Sequence, residues 1–137
     1  MKPRKQKTAG EGYRLRMYPR RDPSRSRRTT VFILETVRTF ASFPYELSVQ
    51  ETVEAASISF AVRGLQAPRL SLPGPGRARY VSEHEGLTGT YEVSVEGMDG
   101  RRARCAIIIG GDAVRVMRRP EDGRLELFTE PEEGSRP

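Results

Sequence analysis

The chain has 137 residues, 31% of them charged, and a formal net charge of +6. That length fits one domain. A single cysteine, Cys105, excludes an intramolecular disulfide and any zinc site that needs several cysteines. No apolar run approaches the roughly 18 residues that a membrane helix requires. We therefore expect no membrane insertion and a cytoplasmic location.

Positive charge is concentrated at the N-terminus. Residues 1–28 carry eleven Lys/Arg and two acids, a net charge of +9, whereas residues 29–137 carry thirteen Lys/Arg and sixteen acids, a net charge of −3. Like charges, three prolines and few apolar groups predict that residues 1–28 are a disordered basic arm. Only "GYRLRMY" (12–18) alternates, so this stretch could instead pair as an edge strand.

From Thr29 onward the hydrophobic pattern has the period of two that is typical of strands. β-branched and aromatic residues alternate with polar ones over residues 29–40, 45–54 and 57–64. Ser48 with Glu51 also matches a helix capping box, which leaves a helical alternative for that stretch. The Pro/Gly-rich residues 65–79 are predicted to form a loop, either functional or a connection between sheets.

The C-terminal part is predicted to be an antiparallel meander of four strands. Short glycine-containing turns separate strand patterns at residues 90–97, 102–109, 113–119 and 124–129. An acidic, frayed tail (130–137) follows. The fold class predicted for residues 29–129 is all-β: an antiparallel β-sandwich or small barrel of about seven or eight strands, ending in the meander.

The signatures of catalysis are missing from this sequence. The only histidine, His84, lies between Glu83 and Glu85, and neighbouring strand residues point to opposite faces, so we expect an exposed edge histidine and no metal site. No nucleophile elbow, zincin or P-loop motif is present, and no motif resembles a family closely enough to name one. We therefore expect a protein that is not an enzyme and needs no cofactor.

The basic arm predicts a binding function. Its cations would neutralise phosphates with little sequence preference, with RNA or an RNA-rich assembly as the first expectation. The expected phosphate ligands are Arg14, Arg16, Arg20, Arg21, Arg25, Arg27 and Arg28. Partner contacts are expected from Tyr13, Tyr18, Arg77 and Arg79.

An alternative from another class is an accessory or structural subunit of a protein complex. In that case sheet edges, the 65–79 loop and the arm would bind an acidic protein surface, with no nucleic acid. The sequence does not define the oligomeric state.

Overall fold

The computed structural model describes residues 12–22, 24, 27–41, 45–67, 74–121 and 123–132. These residues contain strands and no helix. The strands are β1 (Tyr13–Asp22), β2 (Arg27–Phe40), β3 (Glu46–Val53), β4 (Ser57–Gln66), β5 (Gly76–Glu85), β6 (Gly89–Glu96), β7 (Arg102–Ile109), β8 (Val114–Arg118) and β9 (Leu125–Phe128).

The strands form one curled mixed sheet, a half-barrel, in the order β8-β7-β6-β4-β3-β5-β2-β1-β9. The all-β prediction is confirmed, but the described part has nine strands in one sheet. Two pairings, β4 with β6 and β1 with β9, are parallel ladders, and β3 meets β5 in parallel at a single residue pair. Purely antiparallel pairing was therefore wrong.

One face of the curled sheet encloses the core. Every strand contributes at least one buried side chain, because alternate strand residues point to the same face. The buried cluster consists of Tyr13, Leu15, Met17, Phe32, Leu34, Leu47, Ile58, Phe60, Val62, Ala78, Tyr91, Val93, Val95, Cys105, Ile107, Ile109, Val114 and Leu125. We call this face concave and the opposite face convex.

The prediction of a disordered arm to residue 28 does not hold for the part that the structure describes. β1 pairs antiparallel with β2 over its whole length, and its apolar side chains Leu15 and Met17 are fully buried. Residues 1–11 lie outside the described residues. Burial of this apolar alternation repays the ordering entropy that the arm prediction treated as decisive.

Pro19 is tolerated in β1 because of the direction in which its nitrogen points. Tyr13 N–H donates to Arg124 O beside β9, whereas Gly12 O accepts from Val37 N–H beside β2. Because strand groups alternate, odd-numbered residues of β1 direct their N–H groups away from β2. The donor that Pro19 lacks is thus missing from the outer edge of β1, where no bond to β2 is lost.

The last predicted meander strand lies elsewhere in the sheet. β6, β7 and β8 form the expected antiparallel meander, and the Asp99–Gly100 turn between the first two is confirmed, with Gly100 at φ 84°. β9 instead crosses to the other edge and pairs in parallel with β1. The prediction was wrong because it had treated β1, the strand that accepts β9, as part of a disordered arm and kept an edge strand only as the alternative.

The C-terminal tail contacts the sheet where it is described. Glu130 O accepts a hydrogen bond from Arg16 Nη1 at 2.8 Å, and Glu132 Oε2 accepts one from Arg79 Nη2 at 2.6 Å. These contacts replace the fraying expected for residues 130–132. Residues 133–137 lie outside the described residues.

Candidate binding site at the β3–β5 seam

The sheet is interrupted between β3 and β5. The two strands form one residue pair, Glu46 with Arg79, and Arg79 N–H donates to Tyr45 O at 3.1 Å. Alternation then directs the N–H and C=O groups of Val81 and Glu83 towards β3 as well. No ladder joins these groups to β3 among the described strands. We call this gap, with β3 residues 47–53 on one side and β5 residues 80–85 on the other, the seam.

A groove of about 800 Å³ opens at the seam. Its walls include Ser48 and Val49 of β3 and Tyr80 and Val81 of β5. Val81 is 54% exposed although it is a large apolar residue. The groove therefore combines apolar side chains with strand edges whose polar groups lack a ladder partner.

Charged side chains at one end of the groove hold one another in place. The Glu35 side chain is only 7% exposed and accepts two hydrogen bonds from Arg79, at 3.1 and 2.9 Å. Arg14 Nη1 lies 3.7 Å from Glu35 Oε1, and Arg79 also reaches Glu132. Burial lowers the pKa of Arg79, but the bonds to Glu35 and Glu132 outweigh it and leave the pKa raised. This guanidinium stays charged and paired.

A polar cluster bridges the seam on the concave face. Glu51 Oε1 accepts a hydrogen bond from Tyr80 Oη at 2.6 Å, and its Oε2 accepts one from Ser82 Oγ at 3.0 Å. His84 Nε2 lies 2.8 Å from the same Oε2. Glu51 and His84 are each five residues beyond the Glu46–Arg79 pair, so they are level across two parallel strands. We call these four residues the clasp.

The clasp is set into the core boundary. The Glu51 side chain is 11% exposed, and the His84 ring stands edge-on to Phe32 with centroids 5.9 Å apart. Burial, followed by the hydrogen bond to Glu51, raises the pKa of Tyr80 to about 12. The phenol therefore remains a hydrogen-bond donor at neutral pH. The exposed edge histidine predicted from the sequence was wrong, because β5 is an interior strand.

The clasp residues contact one another in a way that differs from the arrangement of a nucleophile and its base. Ser82 and His84 both contact the same carboxylate oxygen, so the hydroxyl is not paired with the imidazole as a nucleophile is with its base. Within the described residues, no group of three or more His, Cys, Asp or Glu side chains could hold a metal ion.

The predicted phosphate ligands lie on two strands instead of a free arm. Arg20 lies 3.6 Å from Glu83 and Arg27 lies 2.8 Å from Glu85, both on the convex face. Arg14 and Arg16 stack on the Phe128 ring at 4.9 and 4.7 Å. These four cations therefore already have acidic or aromatic neighbours.

Three of the predicted phosphate ligands differ from those four. Arg21 and Arg28 are exposed and form no ion pair with the part of the chain that the structure describes. Arg25 lies outside the described residues.

The four predicted partner contacts are separated by the fold. Arg77 and Arg79 both line the groove at the seam. Tyr13 is 5% exposed within the core, so its ring is not presented to a partner. Tyr18 lies on β1, half-buried, outside the groove lining.

Two residues of the site, Glu35 and Glu51, were missed by reasoning from sequence. Glu51 has the same strand parity as Leu47 and Val49, so alternation alone places its carboxylate on the apolar side. Glu35 is a lone acid within the apolar run of β2. A charge at a core-like position was the available signal, because such a charge needs partners.

Comparison with protein-family models, with curated proteins and with solved structures finds no match to this chain. Among the described residues, no helix has the length and apolar character needed to cross a membrane.

Proposed function

We propose that this protein is a non-catalytic binding protein whose seam takes up an extended segment of a partner protein. The observation that carries the proposal is the incomplete pairing of β3 with β5 beside a groove of about 800 Å³. Extended peptides bind where a sheet offers unpaired N–H and C=O groups, and neighbouring pockets select alternate side chains. Val81 and Glu83 of β5 supply such backbone groups.

The charge distribution favours a protein partner over a polyanion at this site. Arg79 is held by Glu35 and Glu132, and Glu46 also lines the groove. Because the lining holds Arg14, Arg77 and Arg79 but also Glu35, Glu46 and Glu132, a phosphate chain entering here would meet as many carboxylates as cations, whereas a peptide backbone is neutral. RNA, the first expectation from the sequence, is therefore the weaker proposal for the groove.

Binding to peptides provides the direct test. A library of random peptides displayed in extended form would be selected on the full-length protein, and exchange of backbone amide hydrogens would be followed by NMR. Bound peptide should slow exchange at Val81 and Glu83, because their N–H groups gain acceptors.

A matched pair of variants locates the bound peptide. Val81→Asp places a charge in the groove, and Met117→Asp makes the same change at another exposed apolar residue, which is not among the groove's lining residues. The first should weaken peptide binding about tenfold or more and the second should leave it nearly unchanged. Equal losses in both variants, or slowed exchange only outside β3 and β5, would refute the proposal.

A further inference from the structure

Two arginines face each other at the end of the β1–β2 hairpin where residues 23–26 connect the two strands. Arg21 and Arg28 are direct cross-strand partners, and both are exposed. Like charges directly opposite each other on a sheet are destabilising. Their neighbours Arg20 and Arg27 each reach a glutamate of β5. Arg21 and Arg28 have no such partner among the described residues.

The alternation of strand residues explains why the two pairs differ. Arg20 and Arg27 point to the convex face, where Glu83 and Glu85 also point. Arg21 and Arg28 have the opposite parity and extend the concave face beyond the core. The residue that follows the last β5 residue of this register is Gly86. Gly86 has no side chain, and its φ is 79°. No carboxylate of β5 can therefore reach this pair.

Two further features surround the pair. The N–H of Tyr13 points away from β2, and N–H directions alternate along a strand, so the N–H of Arg21 also points to the outer edge of β1. β9 does not cover that edge here, because its ladder with β1 ends at Arg16. Arg28 reaches the turn between β7 and β8, where a Cβ atom built on Gly111 would lie 3.9 Å from Nη1 and 4.0 Å from Nη2.

We propose that Arg21 and Arg28, together with the Arg21 amide, bind a phosphate group. Two guanidinium groups of cross-strand partners and one N–H at the adjoining strand edge are donors of the kind that tetrahedral oxyanions bind. The bound anion would also relieve the repulsion between the two cations. Asp112 follows Gly111 in the nearby turn, and within the described residues it forms no ion pair with Arg28. This site is separate from the seam, so it stands or falls independently of the proposed function.

The test uses the full-length chain at low ionic strength with inorganic phosphate as the probe. Titration followed by NMR should shift the amide signals of Arg21 and Gly111. Arg21→Gln with Arg28→Gln should weaken binding at least about tenfold, since charge-assisted hydrogen bonds are lost. The matched control is Arg20→Gln with Arg27→Gln, which removes the same charge one position away on the opposite face and should change affinity less than about twofold.

Thermal unfolding provides a second readout of the same binding event by a different measurement. Phosphate should raise the Tm of the wild-type protein and of the control double variant, because a ligand that binds only the folded state stabilises it. The Arg21→Gln/Arg28→Gln variant should fold but show no such rise. A rise that persists in this variant, or equal losses of affinity in both double variants, would overturn the proposal.

Two further probes distinguish the sources of the phosphate. Pyrophosphate represents small phosphorylated ligands, and a single-stranded RNA 12-mer represents a phosphodiester backbone. If RNA is the ligand, the slope of log K against log salt should be about −1.4 for two contacts and should approach zero in the Arg21→Gln/Arg28→Gln variant. Binding of inorganic phosphate and pyrophosphate without RNA would assign the site to small ligands. No binding of any of the three at low salt would refute it.

Discussion

The seam divides the sheet into two halves that are built differently. In the β3 half, β8-β7-β6-β4-β3, most neighbours are consecutive along the chain, as in the β3–β4 hairpin and the β6–β7–β8 meander. In the β5 half, β5-β2-β1-β9, only β1 and β2 form a hairpin, and the other pairings join residues far apart in sequence, such as Leu15 with Leu127 and Ile33 with Val81. The first half rests on local turns and the second on long-range pairing.

The halves also differ in how their convex faces are charged. Ion pairs connect strands across the β5 half, from Arg14 and Arg79 to Glu35 and from Arg27 to Glu85. In the β3 half, Arg102 of β7 lies 3.5 Å from Glu96 of the neighbouring β6, and Arg118 of β8 reaches Glu92 of β6 across β7. These strands are consecutive along the chain. The N-terminal cations therefore help to hold the long-range half together. A basic composition at one terminus need not indicate a ligand.

Removal of β1 is expected to have the largest effect on the β5 half. Deletion of residues 1–22 should abolish cooperative unfolding, because the β5 half loses Leu15 and Met17 from the core and β9 loses its pairing strand. Circular dichroism melting and NMR dispersion would detect this. Arg16→Ala, an outward-facing change in the same strand, should preserve the fold. A deletion variant that still melts cooperatively would show that the β3 half folds alone.

A pair of core truncations compares the two halves directly. Leu15→Ala in β1 and Ile107→Ala in β7 should each lower the free energy of unfolding by about 2–5 kcal/mol, since both side chains are fully buried. Urea unfolding should give an unchanged m-value in both variants if the halves unfold as one unit. A second transition in either variant would show instead that the seam separates two folding units.

The clasp is expected to contribute less than the core. Glu51→Ala should lower the free energy of unfolding by about 1–3 kcal/mol, because Tyr80, Ser82 and His84 lose their shared acceptor. Glu51→Gln keeps one acceptor oxygen and should lose less. Thermal melts at neutral pH would rank the two variants. Equal stability of both variants and the wild type would mean that the clasp contacts do not contribute to stability.

The smallest expected effect is a pH dependence on one side of the seam. The pKa of Tyr80 is raised from an ordinary 10.0 to about 12, so its contribution is fully present below pH 10.0 and is lost as pH rises towards 12. The difference in Tm between wild type and Tyr80→Phe should therefore shrink across that interval. A difference that stays constant through it would contradict the raised pKa. Tyr45→Phe provides a control for general alkaline effects.

Local patterns predicted the β3 half well and the β5 half poorly. Alternation identified β2 in the β5 half and β3, β4, β6, β7 and β8 in the β3 half, and the Asp99–Gly100 turn fixed one hairpin. The same alternation was present in residues 13–18, but net charge was given more weight. Charge could not reveal that glutamates of β2 and β5 lie opposite these arginines, because that register depends on strands far away in sequence.

The candidate site was predictable only in part. Arg77 and Arg79 were expected to contact a partner, and both line the groove. The seam itself could not be foreseen, because it exists only where β3 and β5, separated by β4 and a connecting segment, meet at one residue pair. Glu51 carried a usable signal in its strand parity, but the capping-box alternative for the same residue obscured it.

The rate at which Cys105 reacts with thiol reagents can report how often the sheet around it opens. The thiol is fully buried on β7, and this burial raises its pKa to about 11. Thiol reagents react with the thiolate, so alkylation in water must wait until the sheet around β7 opens. The rate of modification therefore counts opening events at one known atom, with no added probe. Because the sequence contains one cysteine, each labelled molecule records the exposure of this one site.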